Sequence, residues 1–273
     1  MAQSGRFELK YIIEEDRAAA VADYVRTYLR PSAHNGTGPI PGHAVCSLYM
    51  DSPDFFFFRQ AYTGHLNRYK LRIRFYDDDW NHPAFFEIKH RVKDVMCKER
   101  AMISREGIRQ FLTDGWPDPR GWPEPALLAH GKRRLDVYFD FWSLANRVKA
   151  QGIAYISYLR EIFEAPDDDE LRVTFDRQIA ATPYDHTGRL FLPRWGIPPP
   201  PDRPPYYLPY HGVVLELKYD HRAPMWMYDM VRIFNLNRIA MCKYSACVDG
   251  MGLQWGKFPP WDQQMILQLH ESL

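Results

Sequence analysis

Arg68-Tyr69-Lys70-Leu71-Arg72-Ile73-Arg74-Phe75-Tyr76 is the stretch on which the reading of this chain turns. Cations stand at 68, 70, 72 and 74, and Tyr69, Leu71, Ile73 and Phe75 fill the places between them. A period of two belongs to a β-strand, so the cations leave one face and the apolar residues the other. Like charges stacked along one face repel. The strand is costly unless an anion lies opposite.

The same alternation recurs at about 6–13, 44–50, 84–91, 97–104, 153–164, 171–179, 213–219 and 243–248. In Arg-Phe-Glu-Leu-Lys-Tyr, Arg6, Glu8 and Lys10 oppose Phe7, Leu9 and Tyr11. Glu87, Lys89 and Arg91 oppose Phe86 and Ile88, and Lys98 and Arg100 alternate in the next segment. Arg172, Thr174 and Asp176 share a face, as do Glu216 and Lys218. Eight or nine strands suffice to close a barrel, which removes sheet edges. A water-facing sheet with cross-strand Glu–Lys pairs is the plain alternative for any one strand. It accounts poorly for a uniformly cationic run together with surplus cations on five strands.

Helical spacing appears at 15–30, 105–114 and 132–150, and from Pro224 through Phe234; 262–271 is a further candidate. Such helices can cover the apolar strand faces from outside and leave the charged faces around a wet bore. That bore would concentrate positive potential between low-dielectric walls and draw in anions. The aromatic run Phe55–Phe58 reads as a short buried helix, with base stacking as the less favoured use. Tyr49, Tyr69 and Tyr158 read as wall or core residues. The acidic runs 77–79 and 167–169 read as solvated turns. The Pro-rich stretch 193–209 reads as a surface excursion within a single domain spanning 1–273.

Composition bounds the function. Thirty-five Lys+Arg against 34 Asp+Glu give a net charge of +1. A general nucleic-acid coat is globally basic, so a basic site here must be local. The start carries no secretory h-region, and no run approaches the ~18 apolar residues of a membrane span. The four cysteines show no zinc spacing and read as free thiols, which fits a reducing cytoplasm. The histidines form no HxH or HExxH cluster.

In order along the chain, several segments resemble the VTC domain of polyphosphate polymerases, within the triphosphate tunnel metalloenzyme superfamily. They are Glu-Leu-Lys-Tyr (8–11), Ser-Leu-Tyr-Met-Asp (47–51), Arg-Tyr-Lys-Leu-Arg-Ile-Arg (68–74), Phe-Glu-Ile-Lys (86–89), Lys-Glu-Arg (98–100), Tyr-Leu-Arg (158–160), Arg-Val-Thr-Phe-Asp (172–176), Leu-Glu-Leu-Lys (215–218) and Lys-Tyr-Ser (243–245). No one segment is specific; the ordered set is. The resemblance implies an α+β fold: a closed, eight-stranded antiparallel barrel with helices packed outside. It also implies a reaction, transfer of the terminal phosphoryl group of ATP to a growing polyphosphate chain. Tunnel triphosphatase and polyphosphate- or inositol-phosphate-binding module remain as alternatives.

Carried over by position, Arg72, Arg74, Lys89 and Lys243 look catalytic. Lys10, Lys70, Lys98, Arg100, Arg160 and Arg172 look phosphate-binding. Glu216 looks like the ligand of a divalent metal, manganese or magnesium, with Glu8 either assisting or neutralising Lys10. The chemistry agrees with this set. Phosphoryl transfer relies on positioning and electrostatic stabilisation, for which arginine forks and mobile lysine charges suffice. One departure stands out: where the family commonly has a second lysine three places after Lys243, this chain has Ala246.

Overall fold

The protein is described by a computed structural model over residues 6–38, 40–93, 95–113, 132–166, 168–186, 206–207 and 212–253. Strands β1 (Arg6–Ile13), β2 (Arg30–Pro31), β3 (His43–Asp51), β4 (Asn67–Phe75), β5 (Ala84–Val92), β6 (Val95–Ile103), β7 (Gln151–Ala165), β8 (Asp168–Pro183), β9 (Tyr206–Tyr207) and β10 (Val213–Asp220) form one antiparallel sheet. Helices α1 (Glu15–Arg26), α2 (Phe56–Tyr62), α3 (Arg105–Thr113), α4 (Lys132–Val148), α5 (Met225–Ile233) and α6 (Lys243–Gly250) accompany it. The architecture is α+β, as expected, but the sheet has ten strands, two of them two-residue strands, where eight were expected.

Hydrogen-bonded neighbours run β2-β7-β3-β4-β5-β6-β1-β10-β8-β9, and β7 also pairs with β8. The β7–β8 ladder is long, from Ala154↔Pro183 to Ala165↔Asp168. The β1–β6 seam is thin, with the single partner pair Arg6↔Met96. Farther along that edge of β1, Tyr11 bridges Arg238, and the Lys10 carbonyl accepts from the Ile239 N–H at 2.9 Å. The segment before α6 therefore continues what β6 leaves unpaired. At Gly42 (φ 140°) a Cβ would stand 2.8 Å from the Arg160 carbonyl, so glycine lets the start of β3 approach β7.

The apolar strand faces are covered as the alternation requires. Leu71, Ile73 and Phe75 of β4, with Phe86 and Ile88 of β5, pack against Phe111 of α3 and Phe141 and Ala145 of α4. Leu215 and Leu217 of β10, with Val173 and Phe175 of β8, meet Val21 and Val25 of α1 and Met230 of α5. All of these side chains are buried. The burial of large apolar side chains supplies about 1.5–3 kcal/mol each before entropy is counted.

Residues 243–248 form not a strand but the start of α6. Tyr244, Cys247 and Val248 recur at helical spacing and are buried, and the Cys242 Sγ accepts from the Ser245 N–H at the helix start. Eight residues are too few to separate the two periods by pattern. The Phe55–Phe58 run does enter a helix, α2, and Phe55, Phe57 and Phe58 are buried in the core, while Phe56 is exposed, so three of the four rings are core residues. Asp77–Asp79 lie in a turn, where Asp77 receives Arg105 and His82. Residues 168–169, expected in a solvated turn, instead begin β8; position 167, the candidate helix 262–271 and, apart from β9, the Pro-rich stretch fall outside the described residues. Among the described residues no helix is long and apolar enough to cross a membrane.

Candidate functional site

The face turned away from α1, α3, α4 and α5 gathers the charges of seven strands, β1, β4, β5, β6, β7, β8 and β10. The strand cations are placed by parity: Arg72 and Arg74 alternate with the buried Leu71, Ile73 and Phe75 of β4, so packing the apolar set forces the guanidiniums to the other side. They are themselves almost fully buried, 5% exposed each.

Four carboxylates organise the cluster. Glu87 of β5, fully buried, accepts Arg72 Nε at 2.7 Å and Arg72 Nη2 at 2.6 Å, and lies 2.7 Å from Lys98 Nζ and 3.4 Å from Arg100 Nε. Glu216 of β10 meets Lys243 Nζ at 2.7 Å, Lys218 Nζ at 2.8 Å, Arg160 Nη2 at 3.3 Å and Lys10 Nζ at 3.4 Å. Asp176 of β8 takes Arg160 in a two-pronged grip at 2.6 and 2.7 Å, and Lys243 at 2.6 Å. Glu8 of β1 lies 3.1 Å from Lys10 and 3.6 Å from Lys89. Nine basic side chains thus share four carboxylates, so basic groups outnumber acidic ones in a largely buried cluster, with Lys98 and Arg100 at its more exposed margin.

The proton affinities follow from that crowding. Burial would raise the carboxyl of Glu216, but Lys218, Lys243, Lys10 and Arg160 outweigh it and hold it well below the usual carboxylate range. Glu87 behaves alike under Arg74, Arg72 and Lys98. The excess tells on the lysines. Burial, opposed by Glu87 and reinforced by Arg74 and Arg72, brings Lys98 down to about 7. For Lys89 the attraction of Glu8 is overcome by burial, Arg72 and Lys10, and its ammonium falls well below the ordinary lysine value. Such a site is short of negative charge.

The structure brings together Glu8, Lys10, Arg72, Arg74, Lys89, Lys98, Arg100, Arg160, Glu216 and Lys243 from the sequence-derived set, Lys243 from a helix rather than a strand. Lys70 stands beside Cys242; burial pushes that thiol up, but Lys70 and the Ser245 N–H bring it down to about 6. Arg172 is farther out, half-exposed and 3.7 Å from Glu164. Sequence reasoning passed over Asp176, Glu87 and Lys218 as site members, although all three share parity with assigned residues. It also set aside two tyrosines that hold the arginines: Arg72 Nη1 donates to the Tyr49 hydroxyl at 2.9 Å, and Arg74 Nη2 to that of Tyr158 at 3.0 Å. The four cysteines are free, with Cys46 and Cys247 buried.

Among the described residues no group of three or more His, Cys, Asp or Glu side chains could hold a metal ion by itself. Glu8 and Glu216 do converge, since both reach the same ammonium of Lys10. Two carboxylates are enough for a hard cation that brings phosphate oxygens and waters of its own. The donor set fits a metal that arrives with its anion.

The VTC domain family model matches residues 5–251. The chain belongs to the VTC domain family. Among solved structures, this VTC-domain protein is similar to a candidate adenylate cyclase from Bacillus halodurans, at 12% identity over 88% of this chain and 94% of that one, with a TM-score of 0.47. A candidate adenylate cyclase from Vibrio parahaemolyticus matches at 12% identity, covering 89% and 97% of the two chains with a TM-score of 0.42. The PH1819 protein from Pyrococcus horikoshii matches at 11%, over 89% and 98%, with a TM-score of 0.44. No curated protein matches the chain. Likenesses this distant carry no argument about activity.

Proposed function

We propose that this VTC-domain protein is a metal-dependent, cytoplasmic polyphosphate polymerase, in which the sheet acts as a closed tunnel around a triphosphate and its product chain. The observation that carries the reading is the buried excess of cations over carboxylates around Glu87, Glu216 and Asp176. Buried charge without a partner costs several kcal/mol per ion, and a polyanion is the partner that offsets it.

In this reading Arg72 and Arg74, held by Tyr49 and Tyr158, grip phosphate oxygens with planar forks already in place. Lys89 and Lys98, proton-poor in the free protein, gain full charge when an anion displaces Glu8 and Glu87 as their partner. Lys243 and Arg160 stabilise the charge that spreads over the equatorial oxygens of the transferring group. Lys10, Lys70, Arg100 and Arg172 extend the grip along the chain. Glu216, with Glu8, would hold a manganese or magnesium ion, which when bound neutralises phosphate oxygens. The acceptor is the terminal phosphate of the growing chain, so no serine or cysteine nucleophile is needed.

Ala246, one helical turn after Lys243 on α6, favours a second reading. With one cation fewer than the family pattern, transfer to water in place of a chain would make the protein a triphosphatase. Purified protein with ATP and manganese separates the two. Acid-stable chains with ADP support the polymerase, phosphate without chains the hydrolase, and metal-independent polyphosphate binding without turnover would leave only a binding module.

A further inference from the structure

The charged face does not stay charged along its whole length. Following the parity of Arg72 and Arg74, the next residue on that face is Tyr76; following Glu87 back toward the start of β5, it is Phe85. On β3 the parity of Tyr49 and Ser47 leads to His43, the partner of Arg160. The start of β3, the end of β4 and the start of β5 lie at the same end of an antiparallel sheet. Helix α6 packs at the opposite end, where Tyr244, Cys247 and Val248 meet Tyr49, Ile156 and Val214. The aromatic set therefore rims the end opposite α6.

The three rings are mutually placed. His43 and Tyr76 lie 6.0 Å apart between centroids, and Tyr76 and Phe85 6.1 Å apart in an edge-on arrangement. All three are half-buried rather than sealed in a core. Arg100 ties them to the cation cluster: its guanidinium lies 3.4 Å from the Phe85 ring centroid, it donates to the Tyr76 hydroxyl at 2.9 Å, and its Nε is 3.4 Å from Glu87. The His43 Nδ1 is buried with no hydrogen-bond partner. Burial and the nearby Arg160 bring His43 down to about 4, so its ring is neutral at physiological pH and adds no charge to the rim.

We infer that His43, Tyr76 and Phe85, backed by Arg100, form a subsite for the planar base of a nucleoside triphosphate, with the phosphates continuing into the adjoining cations. The inference rests on the triphosphate reading. An inorganic anion would gain nothing from this rim. A nucleobase gains stacking on Tyr76 and the Arg100 plane, beside the neutral His43 ring, worth about tenfold or more in affinity per base.

Calorimetric titration with ATP and with inorganic tripolyphosphate, both without metal, tests this. Wild-type protein is expected to bind ATP roughly tenfold more tightly, despite the greater charge of tripolyphosphate. Tyr76→Leu and His43→Ala should each bring the affinity ratio toward one, while Tyr76→Phe, which keeps the ring, should preserve it. Equal affinities in the wild type, or an unchanged ratio in both Tyr76→Leu and His43→Ala, would overturn the subsite and leave the triphosphate reading standing. Failure of the wild type to bind tripolyphosphate at all would remove both.

Discussion

Asp51 and Glu216 are both buried carboxylates on strands of one sheet, yet their surroundings are opposite. Asp51 accepts backbone N–H groups of Ser52, Phe57 and Phe58 at 2.8 Å each and the Tyr244 hydroxyl at 2.7 Å. Burial pushes its carboxyl up to about 6, with those hydrogen bonds pulling the other way. Glu216 has four cations about it and is held far lower. The first arrangement is closed: four neutral donors saturate the carboxylate oxygens, so it needs no further partner. The second is open: its cations outnumber what the carboxylates can satisfy. Structural polar burial is locally complete, whereas a site built for an anion is complete only with its ligand.

The largest expected effect of breaking this contrast falls on Glu216. Glu216→Gln should reduce manganese-stimulated turnover on the order of 100-fold, about the size of one lost electrostatic contact in a transition state. It should also strengthen metal-free tripolyphosphate binding, because Lys10, Lys218 and Lys243 lose a competitor. Steady-state rates and titration report the two halves; full manganese stimulation in the variant would remove Glu216 from the metal site.

Asp51→Ala should act on stability alone. Orphaning three N–H groups and a hydroxyl should cost roughly 2–4 kcal/mol. For a chain of this size that lowers Tm by roughly 5–15 °C. Tripolyphosphate affinity of the folded variant, measured well below its Tm, should stay as it was. A large affinity change would mean that Asp51 shapes the site through Tyr244 and α6.

Lys98 sharpens the contrast further. Its folded-state value is lowered to about 7, so near pH 8 most molecules carry it neutral, and a bound polyanion pulls a proton back onto it. Affinity should therefore fall as pH rises through about 7, with proton uptake on binding. Titration at pH 8 in buffers of different ionisation enthalpy should show that uptake, and Lys98→Arg should reduce it. The smallest effect belongs to Ala246→Lys, expected to raise chain synthesis a few-fold in a chain-length assay; unchanged kinetics would dismiss the position.

How much of this was legible in the sequence depends on what each residue answers to. Strand alternation was readable because β4, β5 and β10 have an apolar face under helices and a charged face opposite, so one period answers two demands. Arg72, Arg74 and Lys89 follow from it directly. Lys243 was found, but on the wrong element, since eight residues of α6 fit either period. Asp176 and Lys218 were readable by parity and overlooked because an isolated charge on a strand also suits water. Tyr49 and Tyr158 were assigned to the wall, which is correct for their rings but not for their hydroxyls. Tyr76 and Phe85 were hidden for a related reason: an aromatic at a strand end reads as core, and only the position of α6 shows which end that helix covers. The thin β1–β6 seam, with 238–239 continuing its edge, depends on long-range pairing that no local pattern encodes.

The most direct measurement is calorimetric binding of tripolyphosphate at physiological salt to the wild type and to Arg72→Ala/Arg74→Ala. An excess of buried cations built around a triphosphate predicts one tight site in the wild type and a loss of about 100-fold or more in the double variant. Equal binding by the two proteins, or weak binding at many sites that salt abolishes, would contradict it.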